Sequence, residues 1–334
     1  QRLSAHPNVT FFHMPSPWVS ARGLAANSVD NNGPASVSVV PSSGALTYSE
    51  FVSLGERPVV EMPLAEMDLV FCRTLKPFGP GYLAQLINWE ATTSFVNSPA
   101  GKQQQLASDF LLKVAKDYMP DAIATTSCSE ALAFFEKHQT VVAKRENSCG
   151  GRGVFKIWYQ QGVYQVDNVL TGVGQFARFS DVMKFLKGSQ QEPIQFCRYL
   201  SRTYEGDKRI VVVDGEIYGS YLRRSRSGHW VNNVSADGDC QLAAITPDER
   251  EAIANTVGYY QSLGLHTLGY DFLMDDDGTW RISEINAGNI GGFARLELLT
   301  GEPVMDRLID WMMDYAQRKN HKQELSTPTI LEDA

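Results

Sequence analysis

The spacing of apolar residues divides the chain into short strands and amphipathic helices. Residues 140–144 are apolar and β-branched up to a final lysine, and residues 154–159 and 163–166 flank the turn formers Gln161 and Gly162. This pattern predicts a strand followed by a β-hairpin. Helices are predicted where apolar residues recur every three or four positions, at residues 82–90, 101–119, 129–138, 247–263 and 304–317. Strands separated by helices indicate an α/β (α+β) protein.

The pattern changes twice along the chain, which predicts three domains. Short apolar runs at residues 67–73 and 94–97 read as strands of an open α/β unit that ends near Pro99. Helices and one hairpin follow, and after residue 194 the strands become longer and are joined by tight turns such as Asp214-Gly215. The predicted domains are residues 1–98, 99–194 and 195–334.

Composition and charge exclude several classes of function. The 334 residues carry 30 Lys and Arg against 38 Asp and Glu, a net charge of −8 that repels nucleic acid and anionic membranes. The sequence contains no apolar run long enough to span a bilayer and does not begin with a signal-peptide pattern. The five cysteines are scattered and form no CxxC pair, which favours a reducing cytoplasm over a disulfide framework or structural zinc.

A lysine and a glycine cluster predict a phosphate-binding loop. Lys144 ends a strand, and Gly150, Gly151 and Gly153 follow within ten residues. Glycines without a Cβ let backbone N–H groups approach an anion closely, and the lysine adds a positive charge. The Walker spacing is absent, so this loop is of another kind, and an ordinary hairpin turn remains the alternative. Cys149, beside the glycines, is a weaker candidate nucleophile because no histidine lies near it in sequence.

A hairpin near the C-terminus predicts a magnesium site. Glu284 and Asn286 lie two residues apart on one strand, and the turn at Asp277-Gly278 brings Asp271 opposite or diagonal to Glu284. Carboxylate and amide oxygens, completed by phosphate oxygens and water, are suitable ligands for Mg²⁺. The adjacent acidic run 275–277 reads as a solvated turn without the spacing of a calcium loop.

Cations on the preceding strands predict a second part of the same site. Arg209 opens one strand, and Arg223 and Arg224 end the next. Paired arginines beside a metal would bind a carboxylate and neutralise the charge on a transferred phosphoryl group. Asn232 and Asn233 follow at the distance of a returning strand.

Residues 172–177 match GxGxxA, the fingerprint of dinucleotide-binding proteins. That fingerprint requires a βαβ unit, whereas the strands predicted before it form an antiparallel hairpin. Dinucleotide binding is therefore the weaker interpretation.

Taken together, these segments resemble the ATP-grasp ligases, and among them the bacterial glutathione synthetases. The most specific matches are the GDKR run at residues 206–209 and the EIN run at residues 284–286. Weaker matches follow the family's order at residues 68–73, 97–102, 144–153 and 195–199. The resemblance covers residues 67 to 320.

The resemblance implies an ATP-grasp fold preceded by an N-terminal open α/β substrate domain. It also implies an ADP-forming ligase that joins a carboxylate to an amine through an acyl phosphate, with ATP and two Mg²⁺ ions, or Mn²⁺ in their place. Small-molecule substrates, a role in glutathione biosynthesis and a homodimer or homotetramer are expected. The implied ATP contacts are Lys102, Lys144, Gly150, Gly151, Gly153, Gln195, Phe196, Arg198 and Tyr199. The implied metal ligands are Asp271, Glu284 and Asn286. The groups facing the acyl phosphate are Arg209, Arg224 and Asn233, with Arg223 and Asn232 as alternatives, and the substrate contacts are Arg73, Gly291 and Gly292.

The sequence departs from the glutathione synthetases in segments that bear on the substrate. Thr-Leu-Lys-Pro follows Arg73, where an acidic residue before proline is usual, and residues 287–293 read Ala-Gly-Asn-Ile-Gly-Gly-Phe instead of a Pro-Thr-Gly-type loop. Residues 296–301 resemble the ribosomal-protein glutamate ligases instead. A ligase for another peptide or amino-acid pair, in specialised metabolism or protein-tail glutamylation, is one alternative. A non-catalytic ATP-binding regulatory module is another.

Overall fold

The chain forms two compact units. The first combines residues up to 74 with residues 78–100 and the chain from 302 onward, and the second comprises residues 75–77 and 101–301. The C-terminal helix thus lies in the same unit as the first hundred residues, which differs from the predicted domain 195–334. The computed structural model describes residues 2–15, 36–225, 229–232, 239–288 and 290–326.

Helices and strands alternate along most of the described chain. The helices are α1 (Tyr48–Val52), α2 (Tyr82–Glu90), α3 (Pro99–Gln105), α4 (Phe110–Ala115), α5 (Cys128–His138), α6 (Phe179–Lys187), α7 (Pro247–Ser262), α8 (Phe293–Thr300) and α9 (Val304–Ser326). The strands are β1 (Phe11–His13), β2 (Ser36–Ser42), β3 (Val60–Pro63), β4 (Val70–Phe71), β5 (Phe95–Val96), β6 (Ala122–Thr125), β7 (Thr140–Lys144), β8 (Val154–Gln160), β9 (Val163–Asn168), β10 (Gly172–Phe176), β11 (Ile194–Arg198), β12 (Asp207–Val213), β13 (Glu216–Arg224), β14 (Asp239–Leu242), β15 (Thr267–Met274) and β16 (Trp280–Asn286).

The first unit contains two small sheets. Strands β1, β2 and β3 are antiparallel, and β4 pairs in parallel with β5. Its core includes Leu64, Leu86, Trp89 and Phe95, and the Tyr315 hydroxyl on α9 donates to the carbonyl oxygen of Phe95. The predicted strands of this unit are shorter than expected, with only two residues each in β4 and β5.

The second unit contains two antiparallel sheets, each covered by helices. The first has the strand order β10-β9-β8-β7-β11-β6, and its core side chains lie among those of α5 and α6. The second has the order β14-β13-β12-β15-β16, and its core residues pack with those of α4 and α7. Successive residues of a strand point to opposite faces of the sheet. In both sheets, one set of alternate residues therefore packs against the helices, and the other set lies on the face that is available for chemistry.

Several local predictions are confirmed and one is wrong. The hairpin β8–β9 and the helices α2, α5 and α7 lie where the apolar pattern places them. The helix predicted over residues 101–119 is instead broken between α3 and α4. Ser108 lies in the break, where its backbone N–H and hydroxyl both donate to Glu146, and serine side chains of this kind compete with helical hydrogen bonding. The argument against a dinucleotide site is confirmed, because residues 172–176 form the edge strand β10, antiparallel to β9, and not the start of a βαβ unit.

Candidate active site

Three charged residues lie in a row across neighbouring strands of the five-stranded sheet in the second unit. Arg209 on β12 is directly opposite Asp271 on β15, which is directly opposite Glu284 on β16. A register shift between Asp271 and Phe272 is required for the second pairing, because Phe272 pairs with Ile282 and regular counting would place Ser283 opposite Asp271. The structure thus brings the predicted carboxylates together on one face.

Two arginines bind the central carboxylate. Arg209 donates from Nε and from Nη2 to the two oxygens of Asp271. Arg223 donates to Asp271 at 2.7 Å and to Asp207 at 2.6 Å. Burial alone would raise the pKa of Asp271, but the two guanidinium groups outweigh it and hold that pKa below its ordinary value. Burial raises the pKa of Asp207 to about 6, against the opposing charge of Arg223. Asp207 stands in the GDKR run but was given no role from the sequence, although an acid at the start of an apolar strand is a visible signal.

The arginine and asparagine alternatives are placed differently. Arg223 points into the carboxylate cluster, whereas Arg224 is exposed and donates to the carbonyl oxygen of Glu205. Asn232 is buried and donates to the carbonyl oxygen of Thr203. Asn233, the predicted member of the pair, lies outside the described residues.

The donor set suits a hard cation. Among the described residues no group of three His, Cys, Asp or Glu side chains is arranged to hold a metal ion, so a cation would rely on two carboxylates and the Asn286 amide. Asn286 donates from Nδ2 to Asp271 at 3.0 Å and keeps its amide oxygen as an acceptor. Glu284 is half-buried, and no described cation forms an ion pair with it. Two carboxylates and an amide oxygen, with phosphate oxygens and water completing the shell, fit Mg²⁺.

Lys144 contacts strand β16, and Lys102 lies beside the segment that follows it, although both come from distant parts of the sequence. Lys144 donates from Nζ to the carbonyl oxygen of Ser283 at 2.6 Å, one residue before Glu284. Lys102 is buried on α3, and a Cβ added to Gly288 would lie 3.0 Å from its Nζ. Both lysines therefore lie near the segment 283–288 that contains Glu284 and Asn286, where they add positive charge.

The glycine loop joins β7 to β8. Gly150 and Gly151 adopt φ of +63° and +76°, in the left-handed region that glycine enters without strain. A Cβ on Gly153 would lie 2.1 Å from the Ser148 hydroxyl oxygen, so only glycine fits there. The N–H of Arg145 donates to the carbonyl oxygen of Gly153 at 2.9 Å and closes the base of the loop.

The four side chains proposed on and after β11 have different environments. Gln195 lies opposite Lys144, and its buried Nε2 has no hydrogen-bond partner in the described chain. Phe196 is fully buried in the helix-covered core, so its ring faces away from the side of the sheet that carries Lys144. Tyr199 lies at the end of β11, and the ammonium of Lys156 is 3.8 Å from the centre of its ring.

Arg198 corrects one interpretation of the sequence. It donates to both oxygens of Asp275, which is only 4 % exposed and also pairs with Arg281. Asp275 is therefore a buried ion-pair partner and not part of a solvated turn, whereas Asp276 and Asp277 do have exposed side chains.

The proposed substrate residues fall in both units. Arg73 is exposed in the first unit, with its guanidinium 5.3 Å from the centre of the Phe71 ring. In the second unit Gly292 has φ +117°, and a Cβ there would lie 2.9 Å from the Tyr221 hydroxyl. Gly291 places its carbonyl oxygen 3.5 Å from Arg209.

Comparisons with known proteins identify the family of the chain. The family model for the prokaryotic glutathione synthetase ATP-grasp domain matches residues 110–301, more than half of the chain. The glutathione synthetase of Mesorhizobium japonicum is 28 % identical over 75 % of this chain and 74 % of its own. That of Gloeobacter violaceus is 27 % identical over 76 % of this chain and 75 % of its own.

A solved structure supports the fold. The crystal structure of a D-cycloserine synthetase superposes with a TM-score of 0.51 at 14 % identity, covering 69 % of this chain and 78 % of that one. Among the described residues, no helix is both long and apolar enough to cross a membrane. The family model and the arrangement of arginines and carboxylates lead to one conclusion: the chain belongs to the prokaryotic glutathione synthetase family of ATP-grasp proteins and is an ATP-dependent carboxylate–amine ligase.

Proposed function

We propose that this enzyme joins a γ-glutamylcysteine-type acid to glycine and so forms glutathione. The observation that carries the proposal is the row of Arg209, Asp271 and Glu284 inside the part of the chain that matches the family. The names of the curated relatives favour this substrate pair. The glycine-rich segment 287–293 favours, as second candidate, a ligase for a different acid and amine.

In this proposal each charged residue has a distinct role. Lys102, Lys144 and the N–H groups of the glycine loop hold the phosphates of ATP, while the segment from Gln195 to Tyr199 borders the base. The γ-phosphoryl group passes to the substrate carboxylate, and the amine then attacks the acyl phosphate to form the amide and release phosphate. Arg209 and Arg223 neutralise the negative charge that builds on the transferred group.

The metal would be held by Asp271, Glu284 and Asn286. Mg²⁺ supplies charge neutralisation and orientation of the phosphate oxygens when it is bound. We propose two ions, for which Mn²⁺ can substitute, in keeping with the resemblance to the ATP-grasp ligases. A cytoplasmic homodimer or homotetramer acting on small molecules completes the proposal.

The test is phosphate release from ATP and Mg²⁺ across a panel of acids and amines, with γ-glutamylcysteine and glycine as one pair. Release that requires both partners and is fastest with that pair is the expected result. Faster release with another pair would keep the ligase and replace the substrate, with segment 287–293 as the first place to look. Bound ATP without release from any pair would favour a regulatory nucleotide-binding role.

A further inference from the structure

Asn168, at the end of β9, organises the glycine loop from behind. It is 2 % exposed, and its Nδ2 lies 2.9 Å, 3.1 Å and 3.2 Å from the carbonyl oxygens of Val154, Arg152 and Gly151. Its Oδ1 accepts from the N–H of Leu170 at 3.0 Å. The orientation of the amide is therefore fixed on both sides, because an N–H can only donate and the carbonyls can only accept.

Asn168 constrains which way two of the loop's peptide groups point, together with the N–H of Val154, which donates to the carbonyl oxygen of Gly151 at 3.1 Å. Strand pairing places Lys144, Lys156 and Asp167 on one face of the sheet. Asn168 is the next residue along β9, so it lies on the opposite face. In a trans peptide the C=O and N–H point in opposite directions, so carbonyls drawn towards Asn168 turn their N–H groups towards the face of Lys144.

Two N–H groups are affected most directly. The carbonyls of Gly151 and Arg152 are bonded to Asn168, and the N–H groups in the same two peptide planes belong to Arg152 and Gly153. The Arg152 N–H makes only a long contact of 3.4 Å with the carbonyl oxygen of Cys149. Left-handed φ at Gly150 and Gly151 allows the chain to present these groups without a Cβ in the way.

We infer that Asn168 is a positioning residue that holds the N–H groups of Arg152 and Gly153 towards the nucleotide phosphates. It does so through the loop and does not touch the nucleotide. The inference rests on the proposed ATP site and assigns a role to a residue outside the residue set expected from the family resemblance. Its consequence is specific: loss of Asn168 should weaken binding of the β-phosphate and leave binding of the nucleoside unchanged.

The test compares ligands that differ only in phosphate. Affinities of the full chain for ADP, AMP and adenosine, each with Mg²⁺, are measured by titration calorimetry for wild type, Asn168→Asp and Asn168→Ala. The aspartate keeps the shape but replaces the donor by a carboxylate that repels the carbonyls, and the alanine removes the donor without adding charge. Asn255→Asp, at an exposed position of α7, is the matched control.

We expect both Asn168 variants to lose at least tenfold in affinity for ADP while adenosine binds within twofold of wild type. Equal losses for ADP and adenosine would indicate general damage, and unchanged ADP affinity would show that the loop positions itself, so either result overturns the inference. Wild-type chain that binds neither ligand would overturn the proposed ATP site and the inference with it.

A measurement on wild type decides the matter if neither variant folds. Hydrogen exchange of the Arg152 and Gly153 amides should slow with ADP and remain unchanged with adenosine. Equal exchange with both ligands would overturn the inference.

Discussion

Asp271 faces Glu284 across β15 and β16 only because one strand contains an extra residue at that point. Phe272 pairs with Ile282, and the register then shifts so that Ser283 is left over and Glu284 takes the place opposite Asp271. A β-bulge of this kind re-aims a side chain locally without disturbing the rest of the ladder. The second carboxylate of the site therefore depends on this shift.

Glu284→Gln tests the metal assignment. The amide keeps the size of the side chain but removes the negative charge that a divalent cation requires, so turnover should fall at least about 100-fold. Thermal unfolding should be nearly unchanged, because no described cation pairs with Glu284. Phosphate release with saturating substrates measures the effect.

The controls for that variant are exposed acids. Glu251→Gln on α7 makes the same chemical change at an exposed position. Asp276→Asn alters a side chain that is 53 % exposed in the turn of the β15–β16 hairpin. Both should retain at least half of the wild-type turnover, and normal turnover of Glu284→Gln would refute the assignment.

Neighbouring arginines provide a second test. Arg223→Lys keeps one charge but cannot donate to Asp207 and Asp271 with the same fixed fork, so turnover should fall about 10- to 100-fold. Arg224→Lys changes an exposed side chain and should remain within twofold of wild type. A larger loss in Arg224→Lys would return the role to Arg224.

Asp207 should make stability depend on pH. Its pKa of about 6 in the folded chain lies above the value near 3.8 of a free aspartate. Between pH 3.8 and 6 the folded state therefore keeps a proton on Asp207 that the unfolded state has released. The stabilisation of the fold that comes from this proton is complete below pH 3.8 and is lost as the pH rises through 6. The free energy of unfolding of wild type, relative to Asp207→Asn, should fall by up to about 3 kcal/mol across that interval.

Urea denaturation at pH 4.5, 5.5 and 6.5 measures this difference. The exposed Asp310→Asn controls for the loss of one carboxylate and should show no such trend relative to wild type. A difference that is flat, or that grows with pH, would contradict the raised pKa of Asp207.

Lys208, which lies between Asp207 and Arg209 on β12, should contribute to the stability of the fold. Lys208 points to the other face, where Nζ lies 2.8 Å from the fully buried Glu249 and 4.1 Å from the centre of the Trp280 ring. Lys208→Met leaves the Glu249 carboxylate buried without its partner, which should lower the free energy of unfolding by about 3–5 kcal/mol. Adding Glu249→Met should recover much of this loss, and a double variant less stable than the single would contradict the argument.

Two glycines should respond to alanine in opposite directions. A Cβ on Gly101 would lie 2.0 Å from the carbonyl oxygen of Leu263, so Gly101→Ala forces backbone apart and should destabilise by at least about 1–3 kcal/mol. Gly258 lies exposed inside α7 with nothing near its Cβ position, and Gly258→Ala should stabilise by up to about 1 kcal/mol. Denaturation of both variants measures the contrast.

The sequence predicts much of the secondary structure, because turns, strands and helices depend mainly on residues that are close together along the chain. The turn at Gln161-Gly162, the period-two strands around it and the helix α2 follow from residues that are adjacent in sequence. The chemistry of the site was visible for the same reason, since an acid or an arginine among the apolar residues of a strand is conspicuous in the sequence. Residues such as Asp271, Glu284 and Arg209 could therefore be named before the fold was known.

Only the tertiary structure decided which of these residues meet. Three contacts depend on pairings between segments up to 139 residues apart. They are the register shift beside Asp271, the hydrogen bond of Arg223 (and not Arg224) to Asp271, and the contact of Lys144 with β16. Asn168 and Asp275 look like ordinary polar residues in sequence, and burial against particular partners gives them their roles. Such pairings are set by the packing of whole sheets, whose energy is shared among many residues, so no short stretch of sequence encodes them.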